Sequence, residues 1–170
     1  MRRIFNLALL SFSLLVACTN TNESHDKLIG NWHSGISELP ILPSDIRTEN
    51  DYSYAEYVYS ENFMHQYTNN SSIPYALKYT MRQDSLFFYV GTKQREQFVG
   101  VLVYPNDSTL YIYSFSDTIV HHKMKKLETT LDKYINDDLD EFNPFENIED
   151  YDPHFQSRFN IKLKEFTTKE

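Results

Sequence analysis

One cysteine stands in the whole 170-residue chain, and it is Cys18. A single sulfur excludes a disulfide framework, and its early position leaves the body of the chain without a thiol nucleophile or thiolate metal site. Glycine is scarce too: four residues are too few for most phosphate-cradling loops, and no Gly-x-Ser-x-Gly elbow is present. Positive charge is in deficit, with 16 Lys and Arg against 24 Asp and Glu and a net charge of −8. Such a surface repels nucleic acid and anionic headgroups, so neither is an expected partner. The apolar run Ile4 to Val16 falls short of the roughly 20 residues a membrane-spanning helix needs. His121 and His122 are adjacent, so on a strand they face opposite ways, and His25, His33, His65 and His154 lack ligand-like spacing. The acidic groups at 137–141 and 149–152 do not follow calcium-loop spacing and read as solvated faces. No metal, cofactor or enzymatic activity is expected.

What the chain has in quantity is aromatic residues, 13 Tyr and 12 Phe, many of them in alternating patterns. Tyr75, Leu77, Tyr79 and Met81 alternate with Ala76, Lys78, Thr80 and Arg82, which is one apolar and one wet strand face. Gln83-Asp84 fits a two-residue hairpin that sets Met81 opposite Leu86, Tyr79 opposite Phe88 and Leu77 opposite Val90. A second hairpin joins 97–104 to 109–115 through Pro105-Asn106-Asp107-Ser108. Pairing Tyr104 with Thr109 predicts an inner face of Phe98, Leu102, Tyr104, Tyr111, Tyr113 and Phe115, joined after Ser116-Asp117 by Val120, His122 and Met124. His121 and Lys123 then point outward, because lysine is rarely buried. The opposite face, with Val99, Val101, Val103, Leu110 and Ile112, is also apolar and needs a cover.

That cover is expected from the C-terminal part. Leu127, Leu131, Tyr134, Ile135 and Leu139 recur at helical spacing and predict a helix over 128–142, with Leu131 and Ile135 against Val101 and Ile112. Phe159, Ile161 and Leu163 alternate with polar residues and allow a short final strand. Upstream, Tyr54–Tyr59 and Asn62–Thr68 form a further strand pair around Ser60-Glu61, and a first strand opens at Leu28. The expected fold is therefore all-β: an eight-stranded antiparallel up-and-down barrel, which leaves no open edge, with a C-terminal helix packed outside it.

Arg2 and Arg3 precede the apolar run, which ends in Leu15-Val16-Ala17-Cys18. These residues resemble the bacterial lipoprotein signal box, which implies cleavage after residue 17 and acylation (palmitate among the chains) of Cys18. Residues 18–27 then read as a polar tether, and 28–170 as one domain. Thr19 after the cysteine favours, by the same resemblance, the outer membrane. Asp84-Ser85-Leu86, Asp107-Ser108-Thr109 and Asp117-Thr118-Ile119 resemble an O-glycosylation pattern of some Bacteroidetes, although hairpin turns ask for the same residues.

Gly30-Asn31-Trp32 at the start of the first strand resembles the Gly-x-Trp opening of lipocalin-like (calycin-type) barrels. The resemblance implies a barrel followed by a helix and a short strand. It also implies a cation near the last barrel strand packed across the Trp, for which Lys125 and Lys126 are the candidates, and a long first loop over the open end. Residues 34–53 are that loop or an ordinary insertion. Two functions follow. One is a lipid-anchored monomer binding a small apolar or aromatic molecule, with Tyr79, Phe88, Leu102, Tyr111, Tyr113 and His122 lining the barrel interior. The other is a non-catalytic interaction module, its barrel filled by its own side chains, that meets another envelope protein.

Overall fold

The computed structural model describes residues 23–38, 51–69, 71–124, 129–136 and 144–168, the side chains of 71–73 excepted. The expected export signal, Cys18 and residues 39–50 of the long connection lie outside the described residues. A short helix, α1 (Glu23–Leu28), begins the described chain. It holds an exposed Lys27–Glu23 ion pair at 2.7 Å one turn apart, and its last residue, Leu28, is fully buried. The 18–27 segment is thus not wholly a tether, because its second half is folded onto the barrel.

Ten strands follow: β1 (Gly30–Ser34), β2 (Ser37–Glu38), β3 (Tyr52–Ser53), β4 (Ala55–Tyr59), β5 (Phe63–Thr68), β6 (Ser71–Arg82), β7 (Ser85–Val90), β8 (Arg95–Asn106), β9 (Thr109–Tyr113) and β10 (Thr118–Lys123). Eight of them close a barrel in the order β1-β10-β9-β8-β7-β6-β5-β4, antiparallel throughout, while β2 and β3 pair as a separate ribbon at the two feet of the long connection. The expected fold class is the observed one.

The alternation of small hydrogen-bonded turns and apolar strand faces sets this order. Gln83 takes φ 55 and turns the chain without a glycine, and Tyr79↔Phe88 and Met81↔Leu86 pair as expected. The next hairpin departs from expectation. Asn106 pairs with Thr109, and the register shifts between Val103 and Asn106. Asn106 Oδ1 accepts from the Ser108 amide and hydroxyl, both at 2.9 Å, and builds a tight turn at Asp107-Ser108; that alone moves the pairing by two residues and keeps the faces. The irregularity that makes the net shift odd falls at Tyr104-Pro105, where proline has no N–H to give the ladder. The shift turns β9 over. Leu110 and Ile112 face inward and are buried, while Tyr111 and Tyr113 face outward. Strand β10 inherits the change, so Ile119 and His121 face inward, while Val120 and His122 face outward.

Gly100 makes the neighbouring crossing possible. A Cβ there would lie 2.7 Å from the Tyr113 carbonyl oxygen and 2.8 Å from Ile112 Cγ2, so only glycine lets β9 come this close. Beside it the β7–β8 register shifts between Leu86 and Phe87, a bulge that bends β8 around the barrel.

Over its described part, 129–136, the expected 128–142 segment is not an α-helix. Leu131–Tyr134 forms a single 3₁₀ turn, and residues 137–142 lie outside the described residues. The outer helix is α2 (Asp152–Thr167), opened by Pro153 in its first turn. The residues Phe159, Ile161 and Leu163 expected in a final strand belong to it. Its buried Phe155 and Phe159 pack with Tyr54, Val58 and Tyr67 on the outer faces of β4 and β5, and Leu131 and Phe145 complete this second core. Val101 and Val103, expected under the helix, are 40% and 42% exposed.

One ionic contact anchors α2. Glu56, fully buried on the outer face of β4, receives Arg158 Nε at 2.7 Å and Nη2 at 2.8 Å, together with the hydroxyls of Tyr54 and Tyr151. Burial, and then the charge of Glu56, push both tyrosines far above their ordinary range.

Candidate functional site

The two ends of the barrel are built differently. At one end lie the β4–β5, β6–β7 and β8–β9 turns, and α1 closes it. Trp32 Nε1 donates to the Leu28 carbonyl at 2.7 Å, and the Tyr104 hydroxyl donates to the Ser24 carbonyl at 3.0 Å. The Tyr79 hydroxyl donates to the Ser60 carbonyl at 2.6 Å and sits 3.3 Å from His25 Nε2, which also contacts the Glu61 carbonyl at 3.1 Å. These bonds satisfy tyrosines that the apolar interior alone would leave without partners. Burial raises the hydroxyl pKa of both Tyr79 and Tyr104. Above this floor Leu28, Trp32, Tyr59, Met64, Tyr79, Leu86, Leu102, Leu110 and Ile112 form one packed cluster.

Lys123, at the end of β10, lays its ammonium over the Trp32 ring, 5.2 Å from the centroid. It takes the place for which Lys125 and Lys126 were the candidates; both of those lie outside the described residues. Lysine's dual nature hides this in the sequence, because an exposed ammonium can sit on a stem that packs along an apolar ring.

The opposite end is a mouth, bounded by the β5–β6, β7–β8 and β9–β10 turns. Inward-facing residues here are not covered. Tyr75 shares the face of Gln66 and Tyr57 by register and is 39% exposed; Ile119 shares the face of Ile112 and Leu102 and is 40% exposed. A cleft of about 420 Å³ opens at the rim between β7, β8 and the β9–β10 turn, lined by Phe88, Val90, Gln97, Val99, Ser114 and Phe115 among others. Phe115 is almost wholly exposed beside it. The Tyr75 hydroxyl donates to Gln66 Oε1 across the inner wall.

Below the mouth lies His121, 2% exposed, its ring 4.4 Å from that of Tyr57 and 6.3 Å from that of Tyr59. Among the described residues its Nδ1 has no hydrogen-bond partner. Burial, and then the nearby His33 and His122, lower its pKa to about 4, so the ring is neutral at neutral pH.

Of the residues expected to line the site, Tyr79 and Leu102 are inside but belong to the packed floor, and Phe88 borders the rim cleft. Tyr111, Tyr113 and His122 are on the outer surface, for the register reason given above. His122 stands 5.4 Å from His33, which in turn faces Tyr54 under α2. Among the described residues no group of three or more His, Cys, Asp or Glu is placed to hold a metal ion, and no helix is long and apolar enough to cross a membrane. Sequence reasoning missed His121 and Ile119; Pro105, a residue that strands keep at edges and bulges, was the signal that would have found them. Comparison of the chain with protein-family models, with characterised proteins and with solved structures finds no match.

Proposed function

We propose that this chain is a non-catalytic, lipocalin-like binding protein that holds a small apolar or aromatic molecule in the mouth of its barrel. The observation that carries this reading is the exposure of Tyr75 and Ile119: both face inward, yet both are about two-fifths exposed. A barrel filled to its rim by its own side chains would cover them. The floor is sealed and packed, so a ligand has one way in. Walls of aromatic and branched apolar side chains with a few polar groups suit an apolar molecule with a polar end. The Lys123–Trp32 contact supports the lipocalin-like reading, since a cation across the first-strand Trp is what the Gly30–Trp32 resemblance implies.

The place of action in this reading is the cell envelope. The Leu15–Cys18 box supports acylation of Cys18 and attachment to the outer membrane as a monomer. Multiple acyl chains, at about 0.8 kcal/mol per buried methylene, hold a domain of this size on a bilayer.

Native mass spectrometry of the full chain extracted from its own envelope tests the reading. A co-purifying small molecule released on activation is the expected outcome; a bare protein mass, with no ligand gained from an envelope lipid extract, contradicts it. A second reading has one observation in its favour. Val101, Val103, Tyr113 and Phe115 form an exposed apolar strip on the outside of β8, β9 and the following turn, as an interaction module for another envelope protein would require. Cross-linking in the envelope that is lost on Tyr113→Asp and Val101→Asp, with the mouth left intact, would favour it.

A further inference from the structure

We propose that His121 is the polar recognition point of the mouth, and that it selects apolar ligands carrying a neutral hydroxyl. This deepens the binding reading and rests on it.

The argument begins with position. His121 lies two residues along β10 from Ile119, on the same inner face, so it sits about 7 Å below an exposed rim residue. Tyr57 flanks it on the wall, and Tyr75 stands next on that face toward the solvent. The imidazole is buried, yet among the described residues Nδ1 has no hydrogen-bond partner. Buried polar atoms in folded proteins are nearly always paired, so one that is not calls for an explanation, and a bound group is one. The inward Tyr79 and Tyr104 hydroxyls below it reach the Ser60 and Ser24 carbonyls. His121 Nδ1 has no such bond among the described residues.

Its surroundings decide the chemistry. A neutral imidazole offers one N–H donor and one bare acceptor nitrogen. The charged and titratable groups that bear on it are His33 and His122, both on the far side of the wall; no acid or permanent cation is among them. A carboxylate or an ammonium brought here would lose its hydration without gaining a counter-charge. A neutral hydroxyl both donates and accepts, so it pairs with either tautomer of the ring and carries no such penalty. An apolar ring or chain with one alcohol or phenol group is therefore the class that fits: the body against Phe88, Val90, Val99 and Ile119, the hydroxyl on His121.

Calorimetric titration of the full chain in detergent, with blank micelles subtracted, tests this using 2-naphthol and 2-methylnaphthalene, which are alike in size. The ratio of their affinities is expected to be about tenfold higher for the wild type than for His121→Phe. The imidazole ¹⁵N resonances of wild-type His121, followed during the 2-naphthol titration, are expected to move, and this arm decides should the variant fail to fold. If both compounds bind with the same ratio in the two proteins, or the resonances stay fixed while 2-naphthol binds, the assignment to His121 is overturned and the binding reading stands. If neither compound binds, the binding reading fails and takes the assignment with it.

Discussion

Arg158 on α2 and Glu56 on β4 are 102 residues apart in sequence and joined by two hydrogen bonds, the guanidinium Nε and Nη2 each meeting one carboxylate oxygen. The pair fastens the C-terminal helix to the same strand whose inner face carries Tyr57 and Tyr59. Arg158 also reaches the Thr129 carbonyl at 3.1 Å, so the loop before the helix is held by the same group. Geometry of this kind is what makes a buried ion pair specific, whether or not it adds net stability.

Removal of one partner should therefore be costly. Arg158→Met leaves Glu56 buried with no counter-charge and is expected to lose about 3–5 kcal/mol in urea unfolding. The double variant Glu56→Leu/Arg158→Met should lose less than the sum of the two single changes, since the groups act as a unit. Additive losses would contradict a coupled pair.

Lys123 and Trp32 offer a cleaner probe, because Trp32 is the only tryptophan and reports directly by fluorescence. Lys123→Arg should keep the cation over the ring and the thermal midpoint. Lys123→Met should lower stability by about 0.5–1 kcal/mol, the range of an exposed cation–π contact. Equal midpoints for Arg and Met would show that only the stem of the side chain matters.

His121 predicts a pH dependence of a definite sign. Its folded-state pKa of about 4 lies below its ordinary 6.5 because burial disfavours the charged ring. Between those values the unfolded chain binds the proton more readily, so stability is fully present above about pH 6.5 and is lost as pH falls toward 4. The loss attributable to this one ring is at most about 3 kcal/mol. His33, whose pKa burial also lowers, acts in the same direction. The wild type should lose stability relative to His121→Phe as pH falls from about 7 to about 4.5; parallel curves would deny the burial effect.

Membrane attachment has its own test. Cys18→Ala is expected to move the chain from the membrane pellet to the soluble or unprocessed fraction, and metabolic labelling with palmitate should label the wild type alone. A variant that pellets as the wild type does would remove the lipid anchor.

The barrel was legible in the residues wherever alternation was one-sided. β6 shows one apolar and one wet face, so the Gln83-Asp84 turn and the pairs Tyr79–Phe88 and Met81–Leu86 follow from its period. In β8 and β9 both faces are apolar, so period cannot choose between them, and the irregularity at Tyr104-Pro105 leaves the pairing one residue away from the expected one. That one shift reversed Tyr111, Tyr113 and His122 and hid His121. The helix was misplaced for a related reason. Phe155, Phe159 and Leu163 recur every four residues, but Phe159, Ile161 and Leu163 also alternate, and Pro153 at the first turn was the deciding signal. The Glu56–Arg158 pair, spanning most of the chain, has no local signature at all.

The central claim is that the ligand enters by the mouth and not on the outer strip. The most direct measurement is calorimetric binding of 2-naphthol to the full chain and to two variants, one on each surface. Ile119→Trp fills the mouth and is expected to abolish binding; Tyr113→Ala alters only the outer strip and should leave the affinity as it was. Binding that survives Ile119→Trp, or that disappears with Tyr113→Ala, would contradict the account.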